Sequence, residues 1–282
     1  PSETIEMKGN FTGGVDIKGG KFYQEQELMD EYIGQAYKDI KALWKWYSDN
    51  VNDSNRDSIE KVVDERMEPL RMKYAADLLV YAKQHSDQEC IALLIDKLDD
   101  VKYKETLISL MADNVKNGRM KAYYEPIFES AKKRAEMEEK AKVVQASGVE
   151  APDFTLNDIN GKPFSLSSLR GKYVVIDFWG SWCIWCIKGM PKMKEYYEKY
   201  KGKFEILGVD CNDTEAKWKA AVEKHQLPWI HVYNPKGSDV LDKYAVQGFP
   251  TKIVIGPDGK IVKTIVGEDP AFYTLLDEVL GK

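Results

Sequence analysis

Two cysteines three residues apart, Cys183 and Cys186, stand directly after the apolar run 173–178, in the segment Asp177-Phe178-Trp179-Gly180-Ser181-Trp182-Cys183-Ile184-Trp185-Cys186. The run reads as a buried strand and the residues after the pair carry helical spacing, so the pair falls at a strand-to-helix junction. A helix starting at Cys183 sets unpaired N–H groups and its positive dipole end beside that sulfur. These favour the thiolate, which is the attacking species in disulfide exchange. Cys186, one turn further on, is placed to close a disulfide on the first thiol. The apolar positions Cys186, Met190, Met193, Tyr197 and Tyr200 step by four and three, which turns Cys186 inward and leaves Cys183 at an exposed tip. A Cys-x-x-Cys pair is also half of a zinc site. A four-thiolate site needs a second close pair, whereas Cys90 and Cys211 stand alone and His85, His225 and His231 lack ligand spacing with the motif.

The chain has 282 residues, more than one compact unit usually holds, and 43% hydrophobic residues can build a core in each half. A net charge of −5, with no Lys/Arg run free of interleaved acids, argues against nucleic acid or an anionic membrane surface as the main partner. No uncharged apolar stretch reaches the 18 or so residues of a membrane span. The chain opens at Pro1, which suggests that a native leader or anchor has been left off.

Residues 1–145 read as an α-helical domain. The first 22 or so, rich in glycine, suggest irregular turns around short extended pieces. Leu28, Tyr32, Ala36, Ile40, Leu43, Trp44 and Tyr47 then form one helical stripe. A second helix is predicted over 55–83, broken or kinked at Pro69. A third begins at Ser86 with a Ser86/Glu89 capping box and an apolar face of Cys90, Ile91, Leu94, Ile95 and Leu98. A fourth carries Leu107, Leu110, Met111 and Val115, and a fifth runs from Lys121 into the charged stretch 132–142. The spacing of Trp44, Trp46, Tyr123 and Tyr124 follows the stripes, which implies core filling rather than a binding groove. The boundary falls in 144–152, and 146–282 alternates strands with helices, the pattern of an α/β sheet covered on both faces.

Four features of 146–282 resemble thioredoxin, and most closely the TlpA/ResA branch of thiol:disulfide oxidoreductases within the AhpC/TSA-like superfamily. Asp177 stands six residues before the first cysteine, Trp182 precedes it, Pro191 lies five after the second, and Gly248-Phe249-Pro250-Thr251 is similar to the family's cis-proline loop. The resemblance implies a thioredoxin fold with a central mixed sheet. It also implies exchange of disulfides with protein thiols, and with an upstream electron donor or acceptor, on the periplasmic side of a bacterial cell envelope. No metal or organic cofactor is implied. Cys183 is the expected nucleophile and Cys186 the resolving thiol. Asp177, in an apolar strand, should have a raised pKa and exchange a proton with Cys186 through water; its structural alternative is an acid paired to a lysine. Trp182, Trp185, Phe249 and Pro250 should form the surface that meets the partner.

Two positions depart from the pattern. Ile184-Trp185 replaces the usual dipeptide ending in Pro, so the family's redox potential does not carry over. Gly189 stands where many relatives have a Glu, so that residue's role is either absent or taken by Asp177. Peroxidase chemistry is the lesser enzymatic alternative, because no Pro and Thr pair precedes Cys183, where Trp179 and Trp182 stand instead. A non-enzymatic alternative makes the helical half a protein- or glycan-binding module with an appended thioredoxin scaffold. Cys211 reads as a passive thiol.

Overall fold

The structure is a computed structural model that describes residues 6–10, 14–52 and 54–281. The chain divides into two compact units, Pro1–Lys133 and Arg134–Lys282.

The first unit opens on an antiparallel hairpin, β1 (Glu6–Asn10) and β2 (Gly14–Lys18), with Glu6 opposite Lys18. Part of the stretch expected to be irregular is therefore a paired ribbon; residues 1–5 and 11–13 lie outside the described residues. The long apolar stripe forms two helices, α1 (Lys21–Ala36) and α2 (Lys38–Asn50), divided at Tyr37. Next comes α3 (Arg56–Gln84), which runs through Pro69 without a break. Its buried positions Val63, Met67, Ala75, Leu78, Tyr81 and Ala82 lie on both sides of the proline. Burying a large apolar side chain stabilises by about 1.5–3 kcal/mol, so several of them offset the roughly 3 kcal/mol that an interior proline costs.

The segment expected to start with a capping box is instead a 3-10 helix, Glu89–Asp96, with Gln88 at its N-cap. The Glu89 carboxylate and the Ser86 backbone are engaged elsewhere. Glu89 pairs with Arg119 at 2.7 Å, and the Ser86 carbonyl accepts from Ala112 N. Cys90, Ile91, Ala92, Leu94 and Ile95 are all buried. The helices α4 (Val101–Leu110), α5 (Asp113–Lys116) and α6 (Lys121–Val144) follow. Tyr124 is in the core as expected, but Trp44 and Tyr123 are exposed.

The second unit is built on β3 (Thr155–Asp158), β4 (Pro163–Ser165), β5 (Tyr173–Trp179), α7 (Ile184–Lys199), β6 (Phe204–Asp210), α8 (Glu215–His225), β7 (Ile230–Tyr233), α9 (Val240–Lys243), β8 (Thr251–Ile255), β9 (Ile261–Val266) and α10 (Ala271–Leu280). Seven strands form one mixed sheet in the order β4-β3-β7-β6-β5-β8-β9. β5 lies parallel to β6 and antiparallel to β8. Being central, it is buried on both faces, and its side chains alternate between two cores. Val174, Ile176 and Phe178 enter one, whereas Val175 and Trp179 enter the other, together with Cys186, Met190 and Met193 of α7 and Phe272, Tyr273 and Leu276 of α10. The same alternation puts Asp177 on the α7 face. On β8, Ile253 and Ile255 enter the first core and Val254 the second, so Lys252 also faces α7, directly opposite Asp177 in the register. The fold is thus a helical N-terminal region followed by a thioredoxin-like domain.

Candidate active site

The chain leaves β5 at Trp179 and folds back under Trp182, whose indole N–H donates to the Cys211 carbonyl at 2.9 Å. Only glycine fits at 180: a Cβ there would lie 2.4 Å from Trp182 Nε1 and 2.8 Å from the Cys211 carbonyl oxygen. Asp213 holds the next residue, accepting from Ser181 N at 2.6 Å and from Ser181 Oγ at 2.9 Å. This fixed loop delivers Cys183 as the N-cap residue of α7, where its sulfur accepts from Cys186 N at 3.2 Å. Cys183 and Cys186 form a disulfide, with Cα atoms 5.3 Å apart.

Cys186 is 2% exposed, as its inward position predicts, but Cys183 is 5% exposed and so not the open tip that the spacing suggests. The bond to Cys186 ties the Cys183 sulfur to a side chain that packs with Met190 and Met193, drawing both sulfurs into one apolar layer. What stands in solvent is the rim: Trp182, Ile184 and Trp185 are 49%, 67% and 61% exposed. Lys188 Nζ sits 4.4 Å over the Trp185 ring. Phe249 packs edge-on against Trp182 with centroids 5.3 Å apart, and the Phe249–Pro250 peptide bond is cis. Trp182, Phe249 and Pro250 therefore lie on two loops joined by the Trp182–Phe249 contact, and Trp185 stands in the first turn of α7.

Asp177 is buried and forms an ion pair with buried Lys252 at 3.6 Å, while its Oδ1 has no hydrogen-bond donor. Burial raises its pKa above the usual carboxylate range; the Lys252 charge opposes this and the Glu268 carboxylate reinforces it. The raised acid and the lysine pair, set as alternatives by the sequence, are both present. Lys252 Nζ also meets Glu268 at 3.2 Å, and Tyr273 donates to the same carboxylate at 3.0 Å. Glu268 lies against α7 at Gly189, where a Cβ would sit 2.3–2.5 Å from its carboxylate atoms. Sequence reasoning missed Lys252, Glu268 and Tyr273. The one local signal is a lysine inside a strand whose every residue is buried.

Three further titratable groups of this unit are buried, among them Cys211, the thiol expected to be passive. Asp210 is buried at the end of β6 and is pushed up to about 8, by burial first and then by Asp213. His231 stacks edge-on near Trp179 and burial lowers it to about 3. Cys211 is fully buried, and burial drives its thiol far above the ordinary range, so it has no thiolate to offer. Among the described residues, no group of three or more His, Cys, Asp or Glu is placed to hold a metal ion, and no helix is long and apolar enough to cross a membrane.

Comparison with known proteins identifies the thioredoxin-like unit. Residues 147–264 match the model of the AhpC/TSA family. Thiol-disulfide oxidoreductase ResA of Bacillus cereus is 43% identical over 122 residues, spanning 43% of this chain and 70% of the relative. The ResA of Bacillus subtilis is 36% identical over 123 residues, spanning 43% and 68%. A crystal structure of the thioredoxin domain of a thiol-disulfide oxidoreductase from Bacteroides vulgatus aligns at 37% identity and a TM-score of 0.45, over 48% of this chain and 98% of that one. The disulfide stands at the start of a helix that follows a central strand, and the two ResA relatives show that the chain belongs to the ResA-type thiol-disulfide oxidoreductases of the AhpC/TSA family and is an enzyme of that class.

Proposed function

We propose that Cys183 and Cys186 are the exchanging pair and that protein thiols and disulfides of the bacterial cell envelope, with an upstream electron donor or acceptor there, are the partners. The observation that carries this is the disulfide itself, seated at the N-terminus of a 16-residue helix under an exposed apolar rim. In the reduced protein, the Cys186 N–H and the helix dipole stabilise a thiolate on Cys183, which attacks a partner disulfide. One partner sulfur leaves as a thiolate and a mixed disulfide forms on Cys183. Cys186 gives up its proton toward Asp177 and attacks the Cys183 sulfur, which releases the reduced partner and closes the intramolecular disulfide. Run backward, the same steps oxidise a partner dithiol. Trp182, Trp185, Phe249 and Pro250 supply the surface on which the partner segment lies, because solvated apolar side chains beside a reacting bond gain most from being covered. An envelope location fits partners whose disulfides persist, since such bonds are kept reduced in the cytosol. Residues 1–145 are proposed as a separate helical domain preceding the catalytic one at 146–282.

The test is the division of labour between the thiols. Cys186→Ser should stall at the mixed disulfide and hold partners covalently until a reductant is added, whereas Cys183→Ser should trap few or none. Equal trapping by the two variants would overturn the assignment.

A further inference from the structure

Every residue of β8 is buried, yet it contains Lys252, a cation that must be neutralised where it stands. Two carboxylates reach it: Asp177 from β5 at 3.6 Å and Glu268, from the turn before α10, at 3.2 Å. The two differ in their access to water. Asp177 is sealed in the sheet, whereas the Glu268 side chain is 21% exposed and accepts a second bond from Tyr273 at 3.0 Å. One lysine balances one negative charge, so a buried set of two acids and one cation is neutral when it holds one extra proton. That proton belongs on the more deeply buried acid, because the ionised form is best placed where water and donors remain. Asp177 fits this: its Oδ1 stands 3.6 Å from Lys252 Nζ, beyond hydrogen-bond range, whereas Glu268 accepts from both Lys252 and Tyr273.

Glu268 also touches the redox helix. Its carboxylate fills the space over Gly189, three residues past Cys186, and the Tyr273 hydroxyl that donates to it lies 3.4 Å from the Gly189 carbonyl. We propose that Glu268 is a positioning residue of the exchange reaction: by engaging Lys252 it leaves Asp177 holding the proton that passes to and from Cys186. This rests on the reading of Asp177 given above and adds the residue that sets its protonation. During reduction of the disulfide, an incoming thiolate attacks the Cys183 sulfur and the bond to Cys186 breaks. Cys186 leaves as a thiolate and takes the proton from Asp177. The second thiol of the reductant then displaces Cys183, so the reductant ends as a disulfide and the protein as a dithiol. The charged and titratable groups on the Asp177 face are Lys252 from β8, Glu268 ahead of α10 and Tyr273 from α10, with Lys192 of α7 over the Tyr273 ring at 4.3 Å; Cys211 after β6 lies in the core on the other face of the sheet.

The experiment follows disulfide reduction by dithiothreitol in the full chain, with the rate normalised to reductant thiolate, across pH. The inflection that disappears in Asp177→Asn marks Asp177. In Glu268→Gln, which keeps the shape and removes the charge, Lys252 is left to Asp177 alone. The inflection should move about one unit toward acid and the rate at neutral pH should fall by up to about tenfold. Glu268→Ala combined with Gly189→Glu, which carries a carboxylate to the same space from the helix side, should move the inflection back. An unmoved inflection in Glu268→Gln, or one that the combined change does not restore, overturns the role of Glu268. If Asp177→Asn leaves the whole profile unchanged, the reading of Asp177 fails and this inference falls with it.

Discussion

Gly189→Ala offers a sharp test of the carboxylate packed over α7, because general helix chemistry and this structure predict opposite signs. In the interior of a helix, replacing Gly by Ala stabilises by about 1 kcal/mol. At 189 the added Cβ would fall 2.3–2.5 Å from the Glu268 Oε2, Cδ and Oε1 atoms, so the carboxylate must move away. It then loses the Lys252 contact at 3.2 Å and the Tyr273 hydrogen bond at 3.0 Å. Hydrogen bonds to charged groups contribute about 1.5–3 kcal/mol each, and the low end is appropriate for a side chain that regains some water when displaced. Two such losses against one helix gain leave a net destabilisation of about 2 kcal/mol, or about 4–8 °C in the Tm of a unit of this size. Gly34→Ala in α1 is the control, since a Cβ there meets nothing within 4 Å, and it should stabilise by up to about 1 kcal/mol. Calorimetry of the oxidised protein reads both variants. A Gly189→Ala protein whose C-terminal unit melts higher than wild type would refute the seating of Glu268.

Asp210, held up to about 8 in the folded chain, binds a proton that the unfolded chain has released, so between about pH 4 and pH 8 it makes stability fall as pH rises. Asp210→Asn should therefore flatten that slope and raise the Tm at pH 8 relative to wild type; equal slopes in urea titrations of the two proteins would count against it. His231, lowered to about 3, has the opposite sign: the unfolded chain takes up a proton below about pH 6.5 that the folded chain refuses, so stability is lost as pH falls from there toward 3. A His231→Gln change, which carries no titratable group, should remove that acid-side loss, measured as a smaller Tm drop between neutral pH and pH 5. Cys90 and Cys211 are buried free thiols, pushed up to about 11 and further still. The native oxidised protein should therefore take up almost no iodoacetamide at neutral pH, and rapid labelling of either would show that its surroundings are open.

Much of the catalytic unit was legible because its signals are local. The apolar run ending at Phe178 fixed β5, and the four-and-three spacing from Cys186 fixed the buried face of α7. Period two along β5 sends Asp177 to the face that α7 covers, whereas in the sequence the acid stood out through the resemblance, six residues before Cys183, and through its apolar setting. Signals failed where a distant group decided the outcome. The Ser86/Glu89 pair has the sequence of a capping box, but Arg119 takes the carboxylate, and Pro69 has the sequence of a break, but the core on either side of it holds α3 together. Cys183 packs in the same apolar layer as its disulfide partner, a tertiary placement that helical spacing alone does not encode.

Gly189 and Lys252 show most clearly how reading along the chain differs from reading in space. Along the chain each is a local fault, a glycine inside a helix and a charge inside a buried strand, and each lowers the stability of its own element. In space Glu268 joins them. The glycine makes room for its carboxylate, the carboxylate neutralises the lysine, and the lysine lies opposite Asp177 in the sheet. Two violations of local rules thus resolve into one contact, one turn of helix beyond Cys186, and the combined Glu268→Ala, Gly189→Glu change tests whether the exchange reaction is what the contact serves.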